Sequence, residues 1–385
     1  MRVAIDKNAL SIPLYRVQGV VDRKAAHNVL ACVHLATADG KLTFTATDYD
    51  ITLTTDVAAE VLEPGSALVN GRDVYDVVRV LPEGASLELS SDDSNRVLLQ
   101  MKGGKGRYNL NGLAPEEFPD VEEEGAGAGL TVDKGPIQQM LAQTLFSSSK
   151  DESRPALNGV LLEIEPAGEG KARVTMVSTD GHRLSKVERE LAATDYDGTS
   201  HRAIVHRRGA HELTRILEGS DTFLRIELVG RNIVFTSDQA RLQVRQIEET
   251  FPEYQRVLPD TSGNAVLLSR AAFMGAIKRV TALASGKNNL LRMELTPATD
   301  DASGAMTLEM VHADRGDAHE EIQLPDYGGP KVAVGFNPTY LLEVCGVLKV
   351  NDLQVEVSDQ FSPCLLHSKE PGGSGAMFVV MPMRL

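Results

Sequence analysis

The residues that could perform chemistry are concentrated in one short stretch, residues 179–185. Asp180, His182 and Ser185 place a carboxylate, an imidazole and a hydroxyl within six residues, and these are the groups of a serine hydrolase. Such triads are assembled from segments that are distant in sequence, however, and this stretch has no nucleophile elbow. The sequence therefore argues against a catalytic triad at this position.

Two other candidate sites are equally weak. The glycine-rich residues 102–106 contain two lysines but lack the pattern GxxxxGK[ST] of a phosphate-binding loop. Asp48 and Asp50 could bind a metal ion, but two carboxylates without further ligands are more typical of a turn. We therefore predict a protein that is not an enzyme and that holds neither a metal ion nor another cofactor.

These residues follow segments that repeat along the chain. Residues 174–178 alternate β-branched and apolar side chains, which indicates a strand, and Asp180-Gly181 is a strong turn signal. The same pattern of a strand followed by an aspartate occurs at residues 42–48 and 308–314. Asp48, Asp180 and Asp314 are separated by 132 and 134 residues, so we infer that one unit is used three times.

Two predicted helices repeat with a similar period. The first helix of each unit is predicted over residues 7–18, 136–146 and 270–283, and the second over residues 72–81, 208–217 and 337–348. Asp76, Glu212 and Glu343 of the second helices are 136 and 131 residues apart. Each unit is then an α+β domain with two helices packed on antiparallel sheets.

Domain boundaries follow from composition. Residues 121–129 are acidic and glycine-rich, as is typical of a linker, and Phe118-Pro119 and Phe251-Pro252 mark the ends of the first two units. We predict domains over residues 1–124, 129–256 and 261–385.

The composition fits a cytoplasmic protein. The 385 residues are 42% hydrophobic, and no apolar segment approaches the 18 residues of a membrane span. Residues 1–6 lack the core of a signal peptide. The three cysteines, an odd number, are far apart among apolar residues, which favours buried thiols in a reducing compartment.

The net charge of −15 argues at first against a nucleic-acid partner, but the distribution of the basic residues matters more than their sum. Acidic residues fall mainly in predicted strands and loops. Basic residues occur on or beside the predicted helices of all three units, namely Arg16, Arg23, Lys24, Arg72, Arg79, Arg207, Arg208, Arg215, Lys278 and Arg279. A bias that recurs in each repeat is consistent with one basic surface.

Four motifs resemble those of one family, the bacterial sliding clamps, which are the β subunits of DNA polymerase III. They are Thr179-Asp180-Gly181-His182-Arg183-Leu184, Phe251-Pro252-Glu253-Tyr254-Gln255-Arg256-Val257-Leu258-Pro259, Gly335-Phe336-Asn337-Pro338-Thr339-Tyr340 and Val379-Val380-Met381-Pro382-Met383-Arg384-Leu385. The resemblance spans the whole chain in the expected order. It implies three like-folded clamp domains per subunit and a ring-shaped homodimer that closes head to tail.

The resemblance also implies a function. Such a ring encircles double-stranded DNA without reading its sequence, and it tethers replicative polymerase subunits, the clamp loader, repair polymerases and other proteins that carry clamp-binding linear motifs. Twelve helices of about 10 Å width give an inner wall of about 120 Å and an opening of roughly 25–30 Å. Water would separate so wide a wall from the duplex, and phosphate attraction that varies little along the DNA would let the ring slide.

Three sets of site residues are carried over from the family. The partner-peptide pocket comprises Leu157, Thr179, Gly181, His182, Arg183, Leu184, Pro252, Arg256, Val257, Val379, Val380, Met381, Pro382, Met383, Arg384 and Leu385. The expected DNA contacts are Lys24, Arg72, Lys150, Arg207 and Arg208. The expected dimer interface places Arg107, Tyr108 and Leu110 opposite Leu283, Glu320 and Glu321.

The apolar residues of the pocket would accept apolar side chains, with methionine adapting to different ligands. On their residue types alone, without the family resemblance, residues 379–383 also fit an ordinary core strand. The alternative for the whole protein is a non-catalytic structural scaffold that does not bind DNA.

Overall fold

The computed structural model describes residues 1–21, 28–121, 127–219, 221–258, 264–283, 290–312, 315–370 and 375–385. The described chain forms two compact structural units, which are not the same as the three repeated units of the sequence. The first consists of Met1–Gln138, Pro166–Ala172 and Leu191–Gln246, and the second of Gln139–Glu165, Arg173–Glu190 and Ile247–Leu385. The middle third of the sequence therefore contributes to both units.

Six α-helices are described, two in each third of the chain, at or close to the positions that the apolar periodicity predicts. They are α1 (Lys7–Val17), α2 (Gly71–Val80), α3 (Lys134–Thr144), α4 (Arg207–Leu217), α5 (Arg270–Val280) and α6 (Pro338–Val347).

Strands pair antiparallel in each third of the chain. The first third contains β1 (Arg2–Asp6), β2 (Cys32–Ala38), β3 (Lys41–Thr47), β4 (Ile51–Ala58), β5 (Glu60–Glu63), β6 (Ser66–Asn70), β7 (Ser86–Ser91), β8 (Arg96–Met101) and β9 (Arg107–Leu113). The second contains β10 (Ala128–Asp133), β11 (Gly159–Pro166), β12 (Lys171–Thr179), β13 (Arg183–Thr194), β14 (His201–His206), β15 (Phe223–Val229), β16 (Asn232–Thr236) and β17 (Ala240–Ile247). The third contains β18 (Asn264–Ser269), β19 (Leu291–Thr296), β20 (Gly304–His312), β21 (Gly316–Leu324), β22 (Val332–Phe336), β23 (Asp352–Val357), β24 (Cys364–His367) and β25 (Ala376–Val380).

Side-chain caps explain where several helices begin. Asn70 accepts hydrogen bonds from the backbone N–H groups of Arg72 and Asp73, and Asn337 accepts one from Thr339. The helix α6 also has Pro338 at its first position, where proline leaves no extra donor unsatisfied. These caps bind N–H groups that have no partner inside the helix.

Two helices end two or three residues earlier than the sequence predicts. The α-helical geometry ends at Thr144 and Val280, and the predicted ends at residues 146 and 283 are 3₁₀ turns, Leu145–Ser147 and Thr281–Leu283. The Thr144 hydroxyl donates to the carbonyl of Met140 at 2.8 Å, and the Ser148 N–H donates to the carbonyl of Leu145. A tighter last turn of this kind satisfies carbonyls that the helix itself leaves open.

One type of strand pairing between successive repeats, called a joint below, occurs twice. In the first unit β4 pairs with β17, with Ile51 opposite Val244. In the second unit β13 pairs with β25, with Arg183 opposite Val380. Each joint links the strand that follows a repeated aspartate turn to the last strand of the next repeat, which extends the sheet from one repeat to the next.

Three observations on the described residues concern helix length, the grouping of metal-ligating side chains and the burial of the thiols. There, no helix is long and apolar enough to cross a membrane, and no three His, Cys, Asp or Glu side chains come together as metal ligands. Cys32, Cys345 and Cys364 are buried. Burial raises the pKa of Cys32 to about 11 and that of Cys345 to about 12, so these thiols stay protonated and are poor nucleophiles.

Candidate functional site

An apolar groove of about 160 Å³ lies in the second unit beside the turn at residues 179–184. Its described lining residues are Leu157, Thr179, Gly181, Arg183, Leu184, Pro252, Tyr254, Val257, Val379 and Met381. Nine of these ten belong to the predicted partner-peptide pocket. The fold therefore gathers residues from four separate segments into one wall.

The turn is shaped by the side chain of Asp180. Its Oδ1 atom accepts hydrogen bonds from the backbone N–H groups of His182 at 2.9 Å and Arg183 at 3.1 Å. Gly181 has a φ of +89°, a left-handed conformation that glycine adopts without strain. The Thr179 hydroxyl accepts from the Gly181 N–H and donates to the Arg183 carbonyl, which closes the turn.

The C-terminal strand forms the other side of the groove. β25 pairs with β13 from Arg183 to Val187, and beyond the strand the Met381 N–H donates to the His182 carbonyl at 2.9 Å. Because side chains alternate along a strand, Val379 and Met381 share the face towards the groove, whereas Val380 lies on the other face and is fully buried. The turn and the strand are thus held in register by backbone hydrogen bonds.

The guanidinium of Arg183 contacts residues in and around the turn and is not exposed at the rim of the groove. It donates to Asp180 Oδ2 at 3.1 Å and to the Phe146 carbonyl at 2.8 Å, and it pairs with Glu343 of α6. It also lies 4.6 Å from the ring centre of Tyr340 and 5.1 Å from that of Phe146. Since the side chain is only 9% exposed, its charge is already matched inside the protein.

Six other predicted pocket residues lie outside the described wall of the groove, besides Val380. The side chain of His182 is exposed, and that of Arg256 is 80% exposed beside Glu253. Pro382, Met383, Arg384 and Leu385 follow the strand, where the Met383 N–H donates to the carbonyl of Gly335 at 2.8 Å. Met383 is 40% and Leu385 57% exposed, so both can contact a ligand that extends past the groove.

Tyr254 lines the groove although it is not among the predicted pocket residues. Its ring is 5% exposed, and its hydroxyl donates to Glu163 Oε2 at 2.8 Å, which satisfies the one polar atom of the side chain. The residue lies within the motif at residues 251–259. An aromatic residue between Pro252 and Val257 was therefore the available signal.

The residues that could suggest a hydrolase are not brought together. The Ser185 hydroxyl is fully buried and lies 2.6 Å from the hydroxyl of Ser147, whereas the imidazole of His182 is exposed. Asp180 binds backbone N–H groups and Arg183. Ser185 and Asp180 thus make their contacts inside the fold, whereas the His182 side chain is exposed.

The predicted DNA contacts fall in both units. In the first unit, Arg72 is on the first turn of α2, Arg207 and Arg208 begin α4, and the Arg208 side chain is 51% exposed while it pairs with Asp48 at 2.6 Å. Lys150 is exposed in the second unit. Lys24 lies outside the described residues.

Some helical cations are less available than the sequence suggests. Arg16 is only 3% exposed and donates to the Thr55 hydroxyl at 3.2 Å, because it packs between α1 and β4. Arg279 makes two hydrogen bonds of 2.7 Å to Glu320. The expectation that Arg16 belongs to a solvated basic surface is therefore wrong.

Five of the six predicted dimer residues lie on two strands, each of which has, along those residues, an edge without a partner in the described pairings. Arg107, Tyr108 and Leu110 are on β9, and in the described pairings residues 107–111 pair with β8 alone. Glu320 and Glu321 are on β21, whose described partner is β20. The hydrogen bond from Arg279 holds the pKa of Glu320 below its usual value, so this carboxylate is charged at neutral pH. Leu283 ends a 3₁₀ turn, and its side chain lies outside the described part.

Comparison with known proteins accounts for the whole chain. Three family models match in succession, the N-terminal, central and C-terminal domains of the DNA polymerase III beta subunit, over residues 1–122, 131–253 and 255–384. The beta sliding clamp of Pseudomonas putida is 32% identical over 386 residues, with both chains covered completely.

Solved structures agree with the sequence matches. The C. crescentus beta sliding clamp has 30% identity and a TM-score of 0.89, with 100% of this chain and 99% of that chain covered. The Pseudomonas aeruginosa sliding clamp bound to griselimycin has 30% identity and a TM-score of 0.89, with both chains covered completely. The chain therefore belongs to the DNA polymerase III beta subunit family, the sliding clamps, and is built of that family's three clamp domains.

Proposed function

We propose that two copies of this chain close head to tail into a ring of six clamp domains that encircles duplex DNA and acts as a polymerase processivity factor in the cytoplasm. The observation that carries this proposal is the strand joint that occurs twice within the chain. β4 pairs with β17 of the next repeat, and β13 pairs with β25 of the next repeat.

A third joint of the same type requires a second copy. The strand that follows the third repeated aspartate in the sequence is β21, and the last strand of the first repeat is β9. Both have an unpaired edge in the described pairings, at the positions that the other two joints use. Pairing β21 of one copy with β9 of another, twice, closes a head-to-tail ring.

The register of the internal joints predicts the contacts of the third. Each joint pairs the residue three positions after the aspartate with a residue of the last strand, and in the second repeat that residue, Val244, is seven positions before Phe251. The equivalent residues of the third joint are Asp317 and Asn111. Antiparallel pairing then places Glu321 opposite Arg107, so opposite charges meet and favour the head-to-tail register.

We propose the groove as the site for short linear motifs of polymerase subunits, the clamp loader and repair polymerases. Its wall offers apolar side chains from Leu157, Leu184 and Val379, and Met381 can adapt its shape to different ligands. Because Arg183 is already paired, polar contacts to a peptide are expected from His182, Arg256 and the backbone at the C-terminus.

DNA binding is proposed to be independent of sequence. Arg72, Arg207 and Arg208 have exposed or half-buried side chains that can attract phosphates without contacting bases. The net charge of −15 would keep duplex DNA away from other surfaces.

Loading on circular DNA separates this function from a scaffold or an enzyme. The clamp loader and ATP are used to load the labelled chain onto a nicked circular plasmid, which is then isolated by gel filtration. We expect the chain to stay with the circle and to be lost once the plasmid is cut to a linear form. Equal retention on both forms would indicate ordinary binding rather than a ring, and no retention on either would favour the scaffold.

A further inference from the structure

The turn between β3 and β4 carries an unexplained strain at Tyr49. Its φ is +73°, in the left-handed region that a bulky side chain rarely adopts. The equivalent position in the second repeat is Gly181, with a φ of +89°, where the same backbone has no such cost. The first repeat thus has a tyrosine where glycine would fit the turn.

The two turns have the same hydrogen bonds, so the comparison is direct. Asp48 Oδ1 accepts from the N–H groups of Asp50 at 3.1 Å and Ile51 at 2.7 Å. Asp180 Oδ1 accepts from the corresponding groups of His182 and Arg183. The Tyr49 N–H also donates to the Thr47 hydroxyl at 3.1 Å. The aspartate fixes the turn, and the residue after it is forced into the left-handed conformation.

Packing does not compensate for this strain. The Tyr49 side chain is 66% exposed, so folding removes little of its apolar surface from water. Strained residues that persist without a packing reason are concentrated at functional sites. A role in binding is therefore the physical explanation to test.

The surroundings of Tyr49 indicate what it binds. Its neighbour Asp48 is paired with Arg208 at 2.6 Å, and Asp50 faces Arg245 at 3.9 Å. Each acidic neighbour is thereby offset by an arginine, and Arg207 directly precedes Arg208 on the first turn of α4. Tyr49 thus has an exposed side chain between two residues that are paired with arginines, and tyrosine and arginine are both side chains that contact the DNA backbone.

We propose that Tyr49 is a DNA-contact residue whose hydroxyl donates a hydrogen bond to a phosphate oxygen of duplex DNA, next to Arg207 and Arg208. This inference rests on the proposed function, since it requires duplex DNA at the start of α4. Tyrosine binds phosphate without a charge of its own. The contact therefore adds affinity without adding to the salt dependence of binding.

Two substitutions separate a binding role from a structural role. Tyr49→Phe removes the hydroxyl and keeps the strain, whereas Tyr49→Gly removes both. We expect each variant to bind a labelled duplex of about 30 base pairs about three- to tenfold more weakly than the unchanged chain, which is the loss typical of one hydrogen bond. We also expect Tyr49→Phe to keep the Tm, and Tyr49→Gly to keep or raise it.

Asn95→Gly is the matched control, because Asn95 also has a positive φ, +59°, in a turn between two strands. It should not change DNA affinity. Binding is measured by fluorescence anisotropy over a range of salt concentrations, and Tm by circular dichroism. The slope of log affinity against log salt should be unchanged in Tyr49→Phe, whereas Arg207→Ala should lower it by about one.

Affinities equal to that of the unchanged chain in both Tyr49 variants would overturn the inference, as would a lower Tm in Tyr49→Gly. Retention of the unchanged chain on circular DNA, measured alongside, tells these failures from failure of the proposed function. If the unchanged chain were neither retained on circles nor bound to duplex, both proposals would fall.

Discussion

Replacing Arg183 with methionine tests whether one buried guanidinium holds the turn beside the groove. Methionine keeps most of the length and the contact with the ring of Tyr340 but removes the charge and every donor. The change leaves Asp180, 18% exposed, without its closest ion pair, and Glu343, 43% exposed, without its partner. The Phe146 carbonyl loses a hydrogen bond of 2.8 Å.

The expected loss follows from how deeply these groups are buried. Removing one partner of a fully buried ion pair costs about 3–5 kcal/mol, whereas an exposed pair contributes about 0–1 kcal/mol. Asp180 is near the first limit and Glu343 is nearer the second. Together with the hydrogen bond to the Phe146 carbonyl, we expect Arg183→Met to reduce stability by about 2–4 kcal/mol, which corresponds to a fall in Tm of roughly 4–12 °C.

Thermal unfolding followed by circular dichroism measures this loss. Arg173→Met is the matched control, because Arg173 pairs with Glu190 at 3.3 Å on the surface, with side-chain exposures of 39% and 54%. It should change the Tm by less than about 2 °C. Equal Tm values for the two variants would refute the argument that burial makes the Arg183 pair important.

Three further predictions concern the groove, the third joint and one buried carboxylate. Val257→Asp places a charge in the apolar wall and should weaken binding of a clamp-binding peptide at least tenfold in calorimetry, with the dimer mass unchanged; equal affinity would contradict the site. Arg107→Glu should dissociate the dimer at micromolar concentrations in sedimentation, and adding Glu321→Arg in the same chain should restore it; dimers that survive the single change would reject the register. Burial raises the pKa of Glu212 in the folded protein despite its pair with Arg215. The contribution of this group to the free energy of unfolding is therefore full at pH values below the usual glutamate pKa. It is lost as the pH rises through the higher pKa of the folded state. Glu212→Gln should therefore raise Tm at pH 8 but not at pH 4. An equal change in Tm at both pH values would exclude the raised pKa.

Local patterns were sufficient for much of the fold. Apolar periodicity and turn residues placed the six helices of the described residues, with α4 predicted over residues 208–217 and found at Arg207–Leu217. The repeat of strand, aspartate and second helix predicted three similar domains. These features depend on neighbours in sequence, which is why a single chain reveals them.

Features that depend on distant residues were not predictable in the same way. The sequence places Arg183 and His182 side by side, yet one is buried against Glu343 and Tyr340 while the other is exposed, because those partners come from α6. In the sequence, Arg16 cannot be distinguished from a solvated charge on an amphipathic helix. Its burial depends on packing against β4, which is distant in sequence. Tyr254 was not predicted because its contribution to the groove depends on how the loop after β17 packs against the other walls of the groove.

The repeated strand joint has a mechanical consequence for the proposed ring. In a ring of two chains, four of the six joints are backed by a continuous polypeptide, so loss of their hydrogen bonds would leave the domains tethered. The two joints between β9 and β21 have no such backing. A ring under strain would therefore part at one of these two seams, and a machine that opens it needs to break only one.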